Sequence, residues 1–157
     1  MKIALAQLSY IPGDIAGNTG RIIAALDTAR SGGADLAVFS EMAVTGYPPL
    51  DLLLRSDIIE ASTAAIREIA SHCTDIAAIV GAPSPNTGGS GKSLHNSAFF
   101  LREGKISDVV HKALLPTYDI FDEDRYFQPG TVFRPVELNG RRIAVTICED
   151  IWDEQPF

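Results

Sequence analysis

Three apolar runs in this chain each end in a reactive side chain. They are Leu36-Ala37-Val38-Phe39-Ser40-Glu41, Val109-Val110-His111-Lys112 and Ile143-Ala144-Val145-Thr146-Ile147-Cys148. Strands covered on both faces are near-continuous apolar runs, so these segments predict a buried sheet. In open α/β sheets the chemistry collects just beyond the carboxyl ends of the strands. A carboxylate, an ammonium and a thiol at three such ends can share one pocket. They would supply a proton carrier, a fixed cation for an oxyanion and a nucleophile.

The intervening sequence fits such a sheet. Residues 2–9 read as a first strand. Asn18 or Thr19 is placed to cap a helix running to about Arg30, with Ile22, Ile23, Leu26 and Ala29 on one face. Ser31-Gly32-Gly33 stops it, and residues 35–40 form the second strand. This β-helix-β order argues for an α/β fold. Asp57 and Glu60 have capping-box spacing before a second helix to about His72. Residues 76–81, 96–101 and 106–111 read as three more strands. Residues 132–138 and 142–147 flank Asn139-Gly140, a type I′ hairpin signal.

Bulk properties exclude several classes. At 157 residues the chain is at most one domain. A net charge of -7 argues against a general nucleic-acid surface. No basic run suggests a membrane patch, no stretch approaches a transmembrane length, and the start does not read as a signal peptide. The expected setting is cytoplasmic. Cys73 and Cys148 are too few for a disulfide framework, and His72, His95 and His111 lack metal-ligand spacing. The chain stops soon after the cysteine-bearing run with no helix pattern to cover it. The domain therefore reads as truncated at its carboxy-terminal end.

Taken singly, each reactive residue has an ordinary explanation. A cysteine at a strand end packs as a small hydrophobe, and lysines and glutamates are mostly solvated. The case for chemistry rests on the constellation. Gly88-Gly89-Ser90-Gly91-Lys92-Ser93 imitates the end of a phosphate-binding loop, but Asn86 stands where that pattern needs glycine, and a strand follows in place of a helix. A flexible loop is the better reading.

The three segments resemble the nitrilase, or carbon-nitrogen hydrolase, superfamily. Ser40-Glu41-Met42-Ala43-Val44-Thr45-Gly46-Tyr47-Pro48 is similar to its glutamate segment. His111-Lys112-Ala113-Leu114-Leu115-Pro116 is similar to its lysine segment, and Thr146-Ile147-Cys148-Glu149-Asp150-Ile151-Trp152 to its cysteine segment. All three stand in the family's order, and Asn96-Ser97-Ala98 adds to the likeness. More narrowly, Gly46-Tyr47-Pro48-Pro49-Leu50-Asp51-Leu52-Leu53 and the stretch from Leu115 through Tyr118 and Glu123 to Phe127 resemble segments of glutamine-dependent NAD synthetases. There the nitrilase-like domain is a glutaminase that passes ammonia to a separate ATP-using domain.

The resemblance implies a four-layer αββα sandwich, of which residues 1–157 form a partial carbon-nitrogen hydrolase domain with no synthetase domain. It implies Cys148 as nucleophile, Glu41 as general base, and Lys112 with the backbone N–H of Glu149 at the oxyanion. Glu123 matches a supporting second carboxylate, and Tyr47 and Tyr118 match the glutamine pocket. Amide hydrolysis would need no metal or organic cofactor, with ATP and Mg expected only at the synthetase domain. The implied partners are L-glutamine, that synthetase domain and further copies in a homo-oligomer. Two rivals stay open: a nitrilase-type amidase acting on a free small amide, and a non-catalytic structural or interaction module.

Overall fold

The apolar runs and their neighbours assemble into one five-stranded sheet. In the computed structural model, which describes residues 1–152, the strands are β1 (Ile3–Ala6), β2 (Leu36–Phe39), β3 (Ala77–Pro85), β4 (Leu94–Arg102) and β5 (Lys105–His111), side by side in that order. β1, β2 and β3 are parallel, whereas β4 and β5 each run antiparallel to the strand before. β3 extends past its expected end at Gly81. Prolines at 83 and 85 argue against a central strand, but pairing with β2 ends at Ile79, so among the described residues the rest of β3 has β4 as its one strand partner.

Helices α1 (Ile15–Ser31) and α2 (Ser56–Ser71) cover one face. Strand alternation sends Ala37, Phe39, Val80 and Leu101 toward Ile22, Leu26, Ile66 and Ile69. Burying each of the larger side chains contributes about 1.5–3 kcal/mol. Both expected caps are corrected. Asp14, and neither Asn18 nor Thr19, caps α1, its Oδ1 accepting from Gly17 N at 3.0 Å. Asn18 is instead buried inside the first turn, bonded to both backbone groups of Ile11 and to Val44 O. The Asp57/Glu60 box does not form: α2 has no side-chain cap, and Asp57 pairs with Arg55.

The other face of the sheet carries Leu36, Ile79, Ala98 and Phe100, which pack on Val136, Leu138 and Ile147. These belong to a second layer built on strands β6 (Val136–Leu138) and β7 (Arg141–Ile143). Asn139 and Gly140 have φ of 51° and 71°, as a type I′ turn requires. The strands are shorter than expected. β6 is three residues long, so residues 144–147 continue without a ladder partner among the described residues. The order is thus helix, sheet, sheet, three of the four layers of an αββα sandwich. Residues 153–157, on which the expected carboxy-terminal truncation partly bears, lie outside the described residues. Among the described residues no helix is long and apolar enough to cross a membrane.

Candidate active site

Glu41 owes its place to a glycine. Beyond β2 the chain turns sharply, with Met42 at φ 51°, and lies directly on β3 at Gly81. A β-carbon on Gly81 would fall 2.5 Å from both Ser40 O and Met42 N. The bond from Val44 N to Gly81 O, 3.2 Å, seats the turn.

Lys112 follows β5. Its N–H donates to Asn96 O and its carbonyl accepts from Gly130 N, both at 2.8 Å. The side chain is wholly buried, and its charge is balanced in place. Nζ lies 2.7 Å from Glu41 Oε1 and 2.9 and 2.8 Å from the two oxygens of Glu123. Glu123 is brought there by a short 3-10 turn, Glu123–Arg125, whose first N–H donates to Pro116 O. Asn96 Nδ2 donates to Glu41 Oε1 at 2.6 Å and reaches Glu123 Oε2 at 3.3 Å. The Tyr47 hydroxyl donates to Glu123 Oε1 at 2.9 Å.

The electrostatics follow from this packing. Burial opposes the charge on Lys112, but Glu41 and Glu123 outweigh it, and the ammonium titrates above its usual range. Burial raises the Glu123 carboxyl despite its bond to Lys112. Burial and then the Glu123 charge push the Tyr47 phenol upward.

Cys148 ends the extended run and opens a 3-10 turn, Cys148–Ile151. Its φ of 47° is left-handed, a strained conformation for a residue with a β-carbon. Its thiol shares a cleft with Glu41, and burial followed by the Glu41 charge raises its pKa against the opposing pull of Lys112. The resting group is therefore a neutral thiol beside a carboxylate. Glu41 and Cys148 line a cleft of about 300 Å³ floored by Leu36, Val38 and Ile79. The first bond of the turn is Asp150 N to Ile147 O, so the N–H groups of Cys148 and Glu149 precede the turn's own ladder.

The structure thus brings together Glu41, Lys112, Glu123 and Cys148. Tyr47 joins them through Glu123, and Tyr118 lies at the rim, its hydroxyl 2.9 Å from the Glu149 carboxylate. Phe121 links the two tyrosines, with ring centroids 6.3 and 5.5 Å away. Neither tyrosine lines the cleft that holds Cys148. Asn96 and Asp150 are site residues that reasoning from the sequence did not assign. Asn96 stands in a segment noted only for its likeness. Gly81, an isolated glycine in an apolar strand, did carry a signal of close backbone approach.

The remaining candidates fall elsewhere. Lys92 of the glycine-rich loop pairs with Asp124 at 2.7 Å, and strand β4 follows, as expected for a loop that is not a phosphate cradle. His111 bonds Ser97 and stacks on His95 at 4.1 Å, on the opposite side of β4 from Asn96. No group of three or more His, Cys, Asp or Glu among the described residues is arranged to hold a metal. Cys73 is buried, its thiol 3.3 Å from Ile69 O.

The carbon-nitrogen hydrolase family model matches residues 2–155. The glutamine-dependent NAD(+) synthetase of Synechocystis sp. is 41% identical over 99% of this chain, which spans 28% of that protein. The glutamine-dependent NAD+ synthetase of Acinetobacter baumannii, solved with ADP, superposes with a TM-score of 0.88 at 38% identity, over 96% of this chain and 28% of that one. An amidase from Nesterenkonia sp. AN1 shares the fold, with a TM-score of 0.82 at 24% identity, over 96% of this chain and 58% of the amidase.

Proposed function

This chain belongs to the carbon-nitrogen hydrolase family, and we propose that it hydrolyses the side-chain amide of L-glutamine as the ammonia-supplying part of a glutamine-dependent NAD synthetase. The observation that carries the reading is that Glu41 and Cys148 line one cleft, with Glu41 bonded to the buried Lys112 and to Asn96. The likeness to two NAD synthetases over nearly the whole chain supports the substrate.

The proposed steps are these. Cys148 Sγ attacks the amide carbon while Glu41 takes the thiol proton, a positioned transfer that contributes typically 10²–10⁴-fold. Negative charge collects on the amide oxygen. Lys112 Nζ and the N–H of Glu149 stabilise it, and removing one such donor typically costs about 3–4 kcal/mol. The C–N bond then breaks, Glu41 returns the proton to the departing ammonia, and a thioester remains on Cys148. Glu41 next draws a proton from water, whose attack releases glutamate and restores the thiol. Glu123, itself held by Tyr47, keeps Lys112 in place. Tyr47 and Tyr118 are assigned to glutamine binding on the family resemblance, Tyr47 lying beside the site through its bond to Glu123. A separate synthetase domain, using ATP and Mg²⁺, would consume the ammonia. A cytoplasmic setting and a homo-oligomeric protein belong to the same reading.

The test is ammonia release from L-glutamine by the full protein, with NAD formation followed in the presence of ATP and deamido-NAD. Cys148→Ala should abolish release while the protein stays folded. Full residual activity in that variant, or turnover of other small amides but not glutamine by the unaltered protein, would overturn the reading.

A further inference from the structure

Asp150 is buried, and all its bonds run to backbone N–H groups at the two catalytic segments. Oδ2 accepts from Ile147 N, the residue before Cys148, at 3.0 Å. Oδ1 accepts from Ala113 N and Leu114 N, the two residues after Lys112, at 3.0 and 2.9 Å. We infer that Asp150 is a positioning residue of the reaction, one carboxylate that fixes the turn bearing Cys148 against the backbone bearing Lys112. The inference rests on the functional reading above.

The sheet cannot do this work. Lys112 is registered to the five-stranded sheet through Asn96. Cys148 belongs to a segment whose ladder ends at Ile143, so residues 144–147 have no strand partner among the described residues to set their height against β5. The left-handed backbone of Cys148 adds a second requirement, because such a conformation persists only where its surroundings over-determine it. The bond from Asp150 Oδ2 to Ile147 N closes the turn around Cys148, and the bonds from Oδ1 fasten that turn to the lysine segment. Both oxygens are needed at once, which a carboxylate satisfies and a carboxamide does not. In Asp150→Asn one end of the side chain becomes an NH₂ that faces an N–H donor.

The experiment uses the full protein and two readouts. The first is glutamine turnover resolved into kcat and KM. The second is alkylation of the native protein by iodoacetamide, read by mass spectrometry at the peptide that carries Cys148, which is exposed while Cys73 is buried. Asp150→Asn should lower kcat about 10²-fold, the cost of a misplacement of about 1 Å, with KM little changed and the alkylation rate reduced. Asp150→Glu keeps both oxygens but lengthens the arm by about 1.5 Å. It should show the same split, and it serves if the Asn variant does not fold. Wild-type kcat and alkylation in a folded variant, even one of lower Tm, would overturn the inference. Slowed alkylation in a protein that never hydrolyses glutamine would leave the positioning role standing and remove the substrate reading instead.

Discussion

Gly81→Ala is a one-methyl change with no reactive atom in it, and it should nearly silence the site. The added β-carbon would lie 2.5 Å from Met42 N and Ser40 O and 2.8 Å from Glu41 Cα. Ordinary contact begins near 3.4 Å, so the deficit is about 0.9 Å, from 3.4 less 2.5. All three atoms are backbone and cannot swing aside. β3 is fixed by eight register pairs with β4, so the Glu41 turn must give way. Glu41 Oε1 now lies 2.7 Å from Lys112 Nζ, and a displacement of about 0.9 Å along that line takes it beyond hydrogen-bond range.

Two opposing effects on stability can be weighed. Replacing a strand glycine by alanine gains about 0.5–1 kcal/mol from propensity, whereas overpacking costs about 1–3 kcal/mol. The clash is the larger effect over most of these ranges, so a net loss of up to about 2.5 kcal/mol is expected. The kinetic effect is larger, about 10²-fold in kcat/KM. Steady-state ammonia release and denaturant unfolding of the full protein measure both. Activity within twofold of wild type would refute the argument that Gly81 sets the position of Glu41.

Lys112→Met should destabilise by about 3–5 kcal/mol at neutral pH, because Glu41 and Glu123 are left without their buried cation. Burial already raises Glu123, and loss of the lysine raises it further. A raised folded pKa adds stability at low pH that is lost as pH rises through it, so the deficit should narrow on acidification; a deficit independent of pH in unfolding curves would contradict this. His111 runs the other way: burial, then His95, holds it down to about 4 from an ordinary 6.5. Its contribution is present above about 6.5 and lost as pH falls toward 4, so His111→Asn should flatten the stability profile in that window, and an unchanged slope would count against it. Glu41→Gln should make Cys148 easier to ionise while slowing turnover, as iodoacetamide titration and ammonia release would show.

Much of the fold was legible because apolar periodicity and turn chemistry act locally. Five strands fell where the runs predicted, and Asn139-Gly140 formed its turn. Capping was less legible. Asp14 and Asn18 are both good acceptors, and tertiary bonds to Ile11 and Val44 draw Asn18 away from the cap. Pairing of residues 144–147 was also misjudged, because an apolar run signals burial without saying whether a neighbouring strand exists. At the site, Glu41, Lys112 and Cys148 could be picked out by their shared position after apolar runs. Their contacts span 71 residues between Glu41 and Lys112, a separation no local pattern encodes. The role of Asp150 lay hidden because its partners are backbone groups, which leave no trace in residue type.

The charge count at the site decides how the nucleophile is activated. Glu41 and Glu123 carry two negative charges against the single positive charge of Lys112, and a thiolate on the exposed Cys148 would set a third negative charge beside this buried cluster. Burial and Glu41 both raise the Cys148 thiol, with Lys112 opposing. A resting thiolate–ammonium pair is therefore disfavoured, and in the proposed reaction the proton moves during attack to Glu41, which lines the same cleft. Glu41→Gln separates the two roles. Removing that charge lets the thiol ionise at lower pH, so the midpoint of iodoacetamide reactivity should fall. The same change removes the proton carrier, so glutamine turnover should drop by about 10²–10⁴-fold. If thiolate supply were what limits the reaction, the variant would be the faster enzyme. A Glu41→Gln protein that gains both thiol reactivity and turnover would overturn the assignment of Glu41 as base.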